Sequence, residues 1–113
     1  MGAIIRIKWL TIEIKRVRKY RNRSVVALHK YYKRLNILER ERELLLAGEL
    51  LPETFSWKIC KKRRLSEVES EMRRIERDVE RSTKALRRNT TKIKHLEALR
   101  HSLRQPLLPV LGD

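Results

Sequence analysis

The stretch that decides the fold is Leu65–Leu103, LSEVESEMRRIERDVERSTKALRRNTTKIKHLEALRHSL. When Leu65 is set at heptad position a, apolar residues recur at alternating steps of three and four along the whole stretch, a pattern typical of a long α-helix with a coiled-coil-like seam. Positions a are Leu65, Met72, Val79, Leu86 and Ile93, and positions d are Val68, Ile75, Leu96 and Leu103. Ser82, Asn89 and Arg100 interrupt the seam with polar layers, which weaken packing but help to fix register.

A second apolar stripe precedes this helix and predicts a partner for it. The stripe consists of Val25, Leu28, Tyr31 or Tyr32, Leu35, Leu38 and Leu45. Ser24 stands where an N-cap is expected, and Gly48 is suited to end the helix. The connector 47–57, AGELLPETFSW, is short, and Pro52 suits the first turn of the following helix. Two striped helices with a short connector predict an antiparallel hairpin, with Leu50, Leu51, Phe55 and Trp57 packed at its apex.

The two ends of the chain are harder to assign. Residues 4–17, IIRIKWLTIEIKRV, alternate like a strand in part but continue without a break into a basic helical stretch, so strand and helix both stay open and helix is preferred. The expected fold is all-α: a basic N-terminal arm or helix (1–23), a helical hairpin (24–105, with helices 24–48 and 53–105) and an extended, apolar, Pro-containing tail (106–113).

The charge of the chain restricts its partners. Over 113 residues the formal net charge is +15, which is more than solubility requires and indicates a polyanionic partner. Residues 1–38 carry eleven Lys or Arg and one acid, Glu13. No apolar run is long enough for a membrane-spanning helix. Cys60 is the only cysteine, which favours an intracellular, reducing compartment, either the mitochondrial matrix or the cytoplasm.

The long helix sorts its charges by face. Its acids at heptad positions e and g are Glu69, Glu71, Asp78, Glu76 and Glu97, and these flank the seam, where Lys30, Lys33 and Arg34 of the first helix are the expected partners. Positions b, c and f point away from the seam and hold Arg73, Arg74, Arg77, Arg81, Lys84, Arg87 and Arg88, with Glu80 among them. Steps of three and four residues place these cations about 5–6 Å apart, which is near the phosphate spacing of one nucleic-acid strand.

A second basic segment, KRVRKYRNRS (15–24), contains no acid. Its candidate RNA-binding residues are Lys15, Arg16, Arg18, Lys19, Tyr20, Arg21 and Arg23. Lys and Arg neutralise phosphates and a tyrosine ring can stack on an unpaired base, although Tyr31 or Tyr32 is expected to face the seam. The chain has no sequence signature of a base-reading domain, so recognition of the nucleic-acid backbone is expected, and RNA and DNA are not distinguished.

These patterns predict a non-catalytic structural subunit of a ribonucleoprotein, such as an organellar ribosome, that binds the RNA backbone and neighbouring proteins. The tail residues Leu107, Leu108, Val110 and Leu111 are the expected protein-docking residues. The alternative is a coiled-coil scaffold in a protein-only complex. The Arg row can also be a solvated outer face, in which Glu67, Glu76 and Glu80 pair along the helix with Arg73, Arg74, Arg77 or Arg81. A third possibility, attachment of residues 4–17 to an anionic bilayer, ranks lower because the segment sorts poorly into two faces, and a membrane is not expected among the partners.

Catalysis and metal binding are not expected. His29, His95 and His101 lack the spacing of a metal site, and Cys60 has no ligand pair close in sequence. A two-helix scaffold also offers no enclosed pocket for a small-molecule substrate. We therefore predict no enzyme activity, no cofactor and no metal.

Overall fold

The computed structural model describes residues 2–48 and 55–105, with the side chains of 55–57 excepted. It contains two helices, α1 (Gly2–Ala47) and α2 (Phe55–Arg104), and the predicted all-α antiparallel hairpin is confirmed. The antiparallel direction follows from two ion pairs: Arg34 pairs with Glu71, whereas Glu41, further along α1, pairs with Arg64, earlier on α2.

The first helix is longer than the stripe predicts, because it begins at Gly2 and not at Ser24. Residues 3–47 contain neither Gly nor Pro, so nothing in the sequence interrupts the backbone hydrogen bonds. The prediction of Ser24 as an N-cap is wrong, since its hydroxyl donates to the carbonyl oxygen of Tyr20 at 3.3 Å within the helix. The helical alternative for residues 4–17 is confirmed, and the basic N-terminal arm is the first half of α1 and not a separate element.

The chain divides into two compact units, to which both helices contribute. We call Val26–Ser82 the connector unit, because it includes the connection between the helices. We call Met1–Val25 together with Thr83–Asp113 the terminal unit.

The connector unit has a core of side chains from both helices. Leu35, Leu38 and Leu45 of α1 are buried with Val68, Met72 and Ile75 of α2, and Tyr31 and Val79 pack against them. Leu38 and Val68 are fully buried. Because these residues follow the 3-4 spacing read from the sequence, the predicted seam is confirmed over this range.

The terminal unit has its own core. Leu10, Ile14 and Val17 of α1 are buried with Ile93 and Leu96 of α2, and Leu103 packs against them. The α2 residues were predicted from the heptad, whereas the α1 residues belong to the segment left open between strand and helix.

The polar layers of the seam are accommodated in different ways. Ser82 and Asn89 are half-buried. Arg100 donates through Nη1 to the hydroxyl of Thr11 at 3.4 Å, and that hydroxyl donates to the carbonyl oxygen of Ile7 at 2.9 Å. The predicted place of Val25 in the stripe is wrong, because this side chain is exposed.

Gly48 ends α1 as its position predicts. Its φ is 69°, a left-handed conformation that favours glycine, and its N–H donates to the carbonyl oxygen of Leu45 at 3.4 Å. The other end signals, Pro52 and the prolines of the tail, lie outside the described residues, as do Leu50, Leu51, the side chains of Phe55 and Trp57, and the tail 106–113. Neither described helix has an apolar stretch that would cross a membrane.

Candidate nucleic-acid interface

The outer face of α2 in the connector unit presents a row of arginines. Met72 and Ile75 of α2 point into the core, so side chains on the opposite side of this helix point outward. Arg73, Arg74, Arg77 and Arg81 are exposed, and within the described part of the chain none of them forms an ion pair. We call these four residues the outer arginine row. Its position agrees with the predicted face.

Two carboxylates along the seam of the connector unit, those of Glu41 and Glu71, have cross-helix arginine partners. Arg34 donates through Nε and Nη2 to the two carboxylate oxygens of Glu71, at 3.0 and 3.3 Å. Arg64 donates in the same bidentate way to Glu41, at 2.6 and 2.9 Å. These hydrogen bonds lower the pKa of both carboxyl groups, and the bond to Glu41 raises the pKa of Arg64.

Helix α2 therefore carries two kinds of arginine: Arg64, which is paired at the seam, and the outer arginine row, which has no ion pair in the described part of the chain. Lys30, Lys33 and Arg34 of α1 were the expected partners of the seam acids. Of these three residues, Arg34 forms an ion pair with Glu71. Glu67, a candidate partner for the outer row, instead pairs with Arg64 at 3.4 Å. The alternative of Arg–Glu pairs along the outer face is therefore not what Arg73, Arg74, Arg77 and Arg81 adopt.

The remaining predicted cations of α2 lie in the terminal unit. Lys84, Arg87 and Arg88 are all exposed. Lys84 takes part in a polar interaction, whereas Arg87 and Arg88 form no ion pair with any residue that the structure describes. They add positive charge to this unit, in which acids are scarce.

The basic segment 15–23 contributes fewer available cations than its sequence suggests. Arg18 pairs with Glu97 of α2 at 2.5 Å, and Arg16 pairs with Glu13 at 2.5 Å. Arg21 is half-buried, and the guanidinium of Arg23 lies over the ring of Tyr20, 5.6 Å from its centre. Lys15 and Lys19 are exposed, with no ion pair in the described part of the chain.

Glu13, the single acid of residues 1–38, does not neutralise the outer surface. Glu13 is buried and forms ion pairs with Arg16 and with Lys92 of α2, the latter at 3.7 Å. This burial was not predicted from the sequence. Its signal was the position of Glu13 one residue before Ile14 and four before Val17, on the side of α1 that faces the core.

Two serines were also missed. Ser66 and Ser70 line a shallow depression of about 520 Å³ together with Arg64, Arg74 and Arg77. Ser66, Ser70 and Arg74 are spaced four residues apart, so they share one helix face, and this spacing was available in the sequence. Hydroxyl groups beside a guanidinium add hydrogen-bond donors for a phosphate oxygen. Glu67 and Glu71 line the same depression, but each already accepts hydrogen bonds from an arginine.

The tyrosines divide as expected. Tyr31 packs against the core of the connector unit, whereas Tyr20 and Tyr32 are exposed. At most two rings are therefore available for stacking on a base.

The described residues contain no group of three or more His, Cys, Asp or Glu side chains placed to hold a metal ion. Cys60 is a free, exposed thiol. What the outer arginine row offers chemically is hydrogen-bond donors and positive charge, which suit phosphate oxygens. Comparison with known proteins finds no matching family model, no matching curated protein and no matching solved structure.

Proposed function

We propose that this protein is a non-catalytic structural subunit of a ribonucleoprotein assembly, ribosome-like and possibly organellar in setting. In this proposal it binds the RNA backbone through arginine and lysine side chains. Its hairpin and its apolar tail hold neighbouring proteins of the same assembly.

The observation that carries the proposal is the outer arginine row. The bidentate pairs of Arg34 and Arg64 show that this hairpin provides carboxylates for arginines at its seam. The four arginines of the row have no such partner among the described residues and project into solvent. A guanidinium presents a planar fork of donors that matches a phosphate, so an unpaired row is suited to a chain of phosphates.

The spacing of the row supports a backbone ligand. Arg73, Arg77 and Arg81 follow one another at four-residue steps along a helix, which corresponds to about 6 Å of rise per step. Successive phosphates on one strand lie at a similar interval. Contacts of this kind fix position without reading base sequence, so similar affinity for unrelated RNA sequences is expected.

The basic segment supplies a second set of contacts. Lys15, Lys19 and Arg23 are exposed, and Tyr20 offers a ring that can stack on an unpaired base. Arg18 serves the hairpin through Glu97, so we expect Arg18 to contribute less to RNA binding than its neighbours do.

The proposal is tested by the salt dependence of binding to single-stranded RNAs of unrelated sequence. The variant is Arg73→Gln/Arg77→Gln/Arg81→Gln, and the matched control is Arg40→Gln/Lys62→Gln/Arg63→Gln, which removes the same charge from exposed positions elsewhere in the connector unit. Each phosphate-binding side chain that a variant removes is expected to reduce the slope of log K against log salt by about 1.

The row variant should therefore lower the slope by about 3, and the control should change it less. An affinity that does not depend on salt, or an equal loss in both variants, would contradict the proposal. If nuclease treatment of the native complex leaves all protein partners in place and the purified chain binds no RNA, the protein-only coiled-coil scaffold is the correct function.

A further inference from the structure

Residues 4–17 of α1 have two apolar faces. One face, Leu10, Ile14 and Val17, is buried in the core of the terminal unit. The other face holds Ile5, Trp9 and Ile12, whose side chains are 64%, 64% and 67% exposed. Steps of four and three residues place these three on one side of the helix. This second face explains why the segment does not sort into one apolar and one polar side in the sequence.

The exposed face continues onto α2. An open groove of about 380 Å³ lies beside it, lined by Ile5, Trp9 and Leu10 of α1 and by Leu99 and Leu103 of α2. Arg6 and Ser102 are its polar lining residues. The terminal unit therefore exposes an apolar groove that is lined in part by the aromatic ring of Trp9, a feature that marks binding surfaces more often than isolated exposed side chains do.

The charge around this surface has one sign. Lys8 and Lys15 are exposed on the same segment, and Arg6 borders the groove. The acids that the structure describes in the terminal unit are Glu13 and Glu97, and both are held in ion pairs, with Arg16 and Lys92 and with Arg18. An anionic surface can approach this face without meeting an uncompensated carboxylate.

We propose that this face of the terminal unit binds the surface of an anionic lipid bilayer. Ile5, Trp9 and Ile12 enter the boundary between headgroups and acyl chains, and α1 lies parallel to the membrane plane. Lys8, Lys15 and Arg6 extend their alkyl stems along the apolar surface and keep their charges at the lipid phosphates. Isoleucine side chains gain nothing from RNA phosphates, so this surface has a purpose separate from the outer arginine row.

Trp9 provides a direct optical probe. The chain has two tryptophans, so Trp57→Phe leaves Trp9 as the only one. This variant is mixed, without RNA, with vesicles of neutral phosphatidylcholine or with vesicles that also contain phosphatidylserine. The expected result is co-sedimentation and a blue shift of Trp9 emission with the phosphatidylserine vesicles only, both weakened by high salt.

Two variants and a matched control separate insertion from simple charge attraction. Ile5→Ser/Ile12→Ser is expected to lower the partition coefficient about tenfold or more, because less apolar area is buried. Lys8→Gln/Lys15→Gln is expected to lower it by about thirtyfold, because the attraction to the lipid headgroups is weaker. The control Ile37→Ser/Leu46→Ser replaces two exposed apolar residues of the connector unit and should leave binding unchanged.

Three results would overturn the proposal. The first is absence of binding to the anionic vesicles. The second is binding that Ile5→Ser/Ile12→Ser does not weaken, which would mean charge attraction alone. The third is a blue shift of Trp9 that appears without vesicles as protein concentration rises, which would assign this face to a second copy of the chain. Because the isoleucine, lysine and leucine residues replaced in these variants are exposed, the substitutions at these positions should leave helical circular dichroism unchanged.

Discussion

The connector and terminal units use the same two helices but distribute charge differently. The connector unit has fourteen Lys or Arg and eleven Asp or Glu, whereas the terminal unit has fifteen and three. In the connector unit, Glu41 and Glu71 at the seam are paired with arginines, and the outer arginine row lies on the outer face with no ion pair among the described residues. In the terminal unit, nearly every exposed charge is positive and an apolar surface lies among these charges. The same two helices therefore present two different surfaces, a basic outer face in the connector unit and an apolar face bordered by cations in the terminal unit.

The largest expected effect comes from opening either core. Leu38 is 0% exposed in the connector unit and Ile14 is 1% exposed in the terminal unit. Leu38→Ala and Ile14→Ala are each expected to lower the free energy of unfolding by about 3 kcal/mol, because apolar burial decreases and a cavity is left unfilled. Amide hydrogen exchange should locate the loss of protection mainly in the unit that carries the substitution.

The exposed Ile37 provides the control for the core substitutions, because it lies next to Leu38 and is 52% exposed. Ile37→Ala should change the unfolding free energy by about 0.5 kcal/mol or less. An equal loss for Leu38→Ala and Ile37→Ala would mean that the seam does not lie where the structure places it.

The second effect concerns the buried acid of the terminal unit. Glu13→Gln leaves Arg16 and Lys92 without their carboxylate in a unit that is already strongly positive. We expect a loss of about 2 kcal/mol in chemical denaturation, because a partly buried charge pair is broken from one side. The loss should shrink at high salt, where repulsion among the remaining cations is screened.

The exposed ion pair between Arg18 and Glu97 is the control for the Glu13 substitution. Glu97→Gln should cost about 0.2–1 kcal/mol, as is usual for an exposed ion pair. If Glu97→Gln proves as costly as Glu13→Gln, burial is not what makes Glu13 important.

A smaller effect is expected at the end of α1. Gly48→Ala forces a Cβ onto a residue with φ of 69°, which should lower the unfolding free energy by about 1 kcal/mol. Gly2→Ala is the matched control, since a Cβ there meets no atom within 4 Å and φ is not left-handed. Thermal denaturation of the two variants should show a lower midpoint for Gly48→Ala only.

The smallest effect is pH dependence in the connector unit. Arginine hydrogen bonds lower the pKa of Glu41 and Glu71 below the ordinary value of 4.5. A lowered folded-state pKa contributes stability above the unfolded-state value, and this contribution is lost as pH falls through the folded-state value. Carboxyl NMR titration should show both groups titrating below pH 4.5, together with a modest loss of stability in that range. Arg34→Gln should return Glu71 toward its ordinary pKa and leave Glu41 the lower of the two.

The sequence predicted the fold well where one periodic pattern dominates. The 3-4 spacing of Val68, Met72 and Ile75 identified α2 and its buried face, and Gly48 identified the end of α1. The start of α1 was missed because Ile5, Trp9 and Ile12 add a second apolar face, which obscures a single helical periodicity. The side-chain hydroxyl of Ser24 also bonds inside a helix as readily as at its cap, so its position was a misleading signal.

The candidate interface was predictable in its orientation but not in its individual members. Heptad position alone places Arg73, Arg77 and Arg81 on the outer face. It does not reveal that Arg18 of the basic segment is held by Glu97, because that interaction joins residues 79 positions apart in the chain. Local sequence specifies a helix face, whereas long-range pairing depends on the register between the two helices.

The central claim is that the outer arginine row contacts an RNA backbone, and site-specific photo-crosslinking in the native assembly tests it most directly. A photoreactive residue is placed at Arg77, and a control is placed at the exposed Glu43 of α1. Nucleotide adducts are predicted at position 77, and few are predicted at position 43. Protein adducts at position 77 with no nucleotide adducts would contradict the claim.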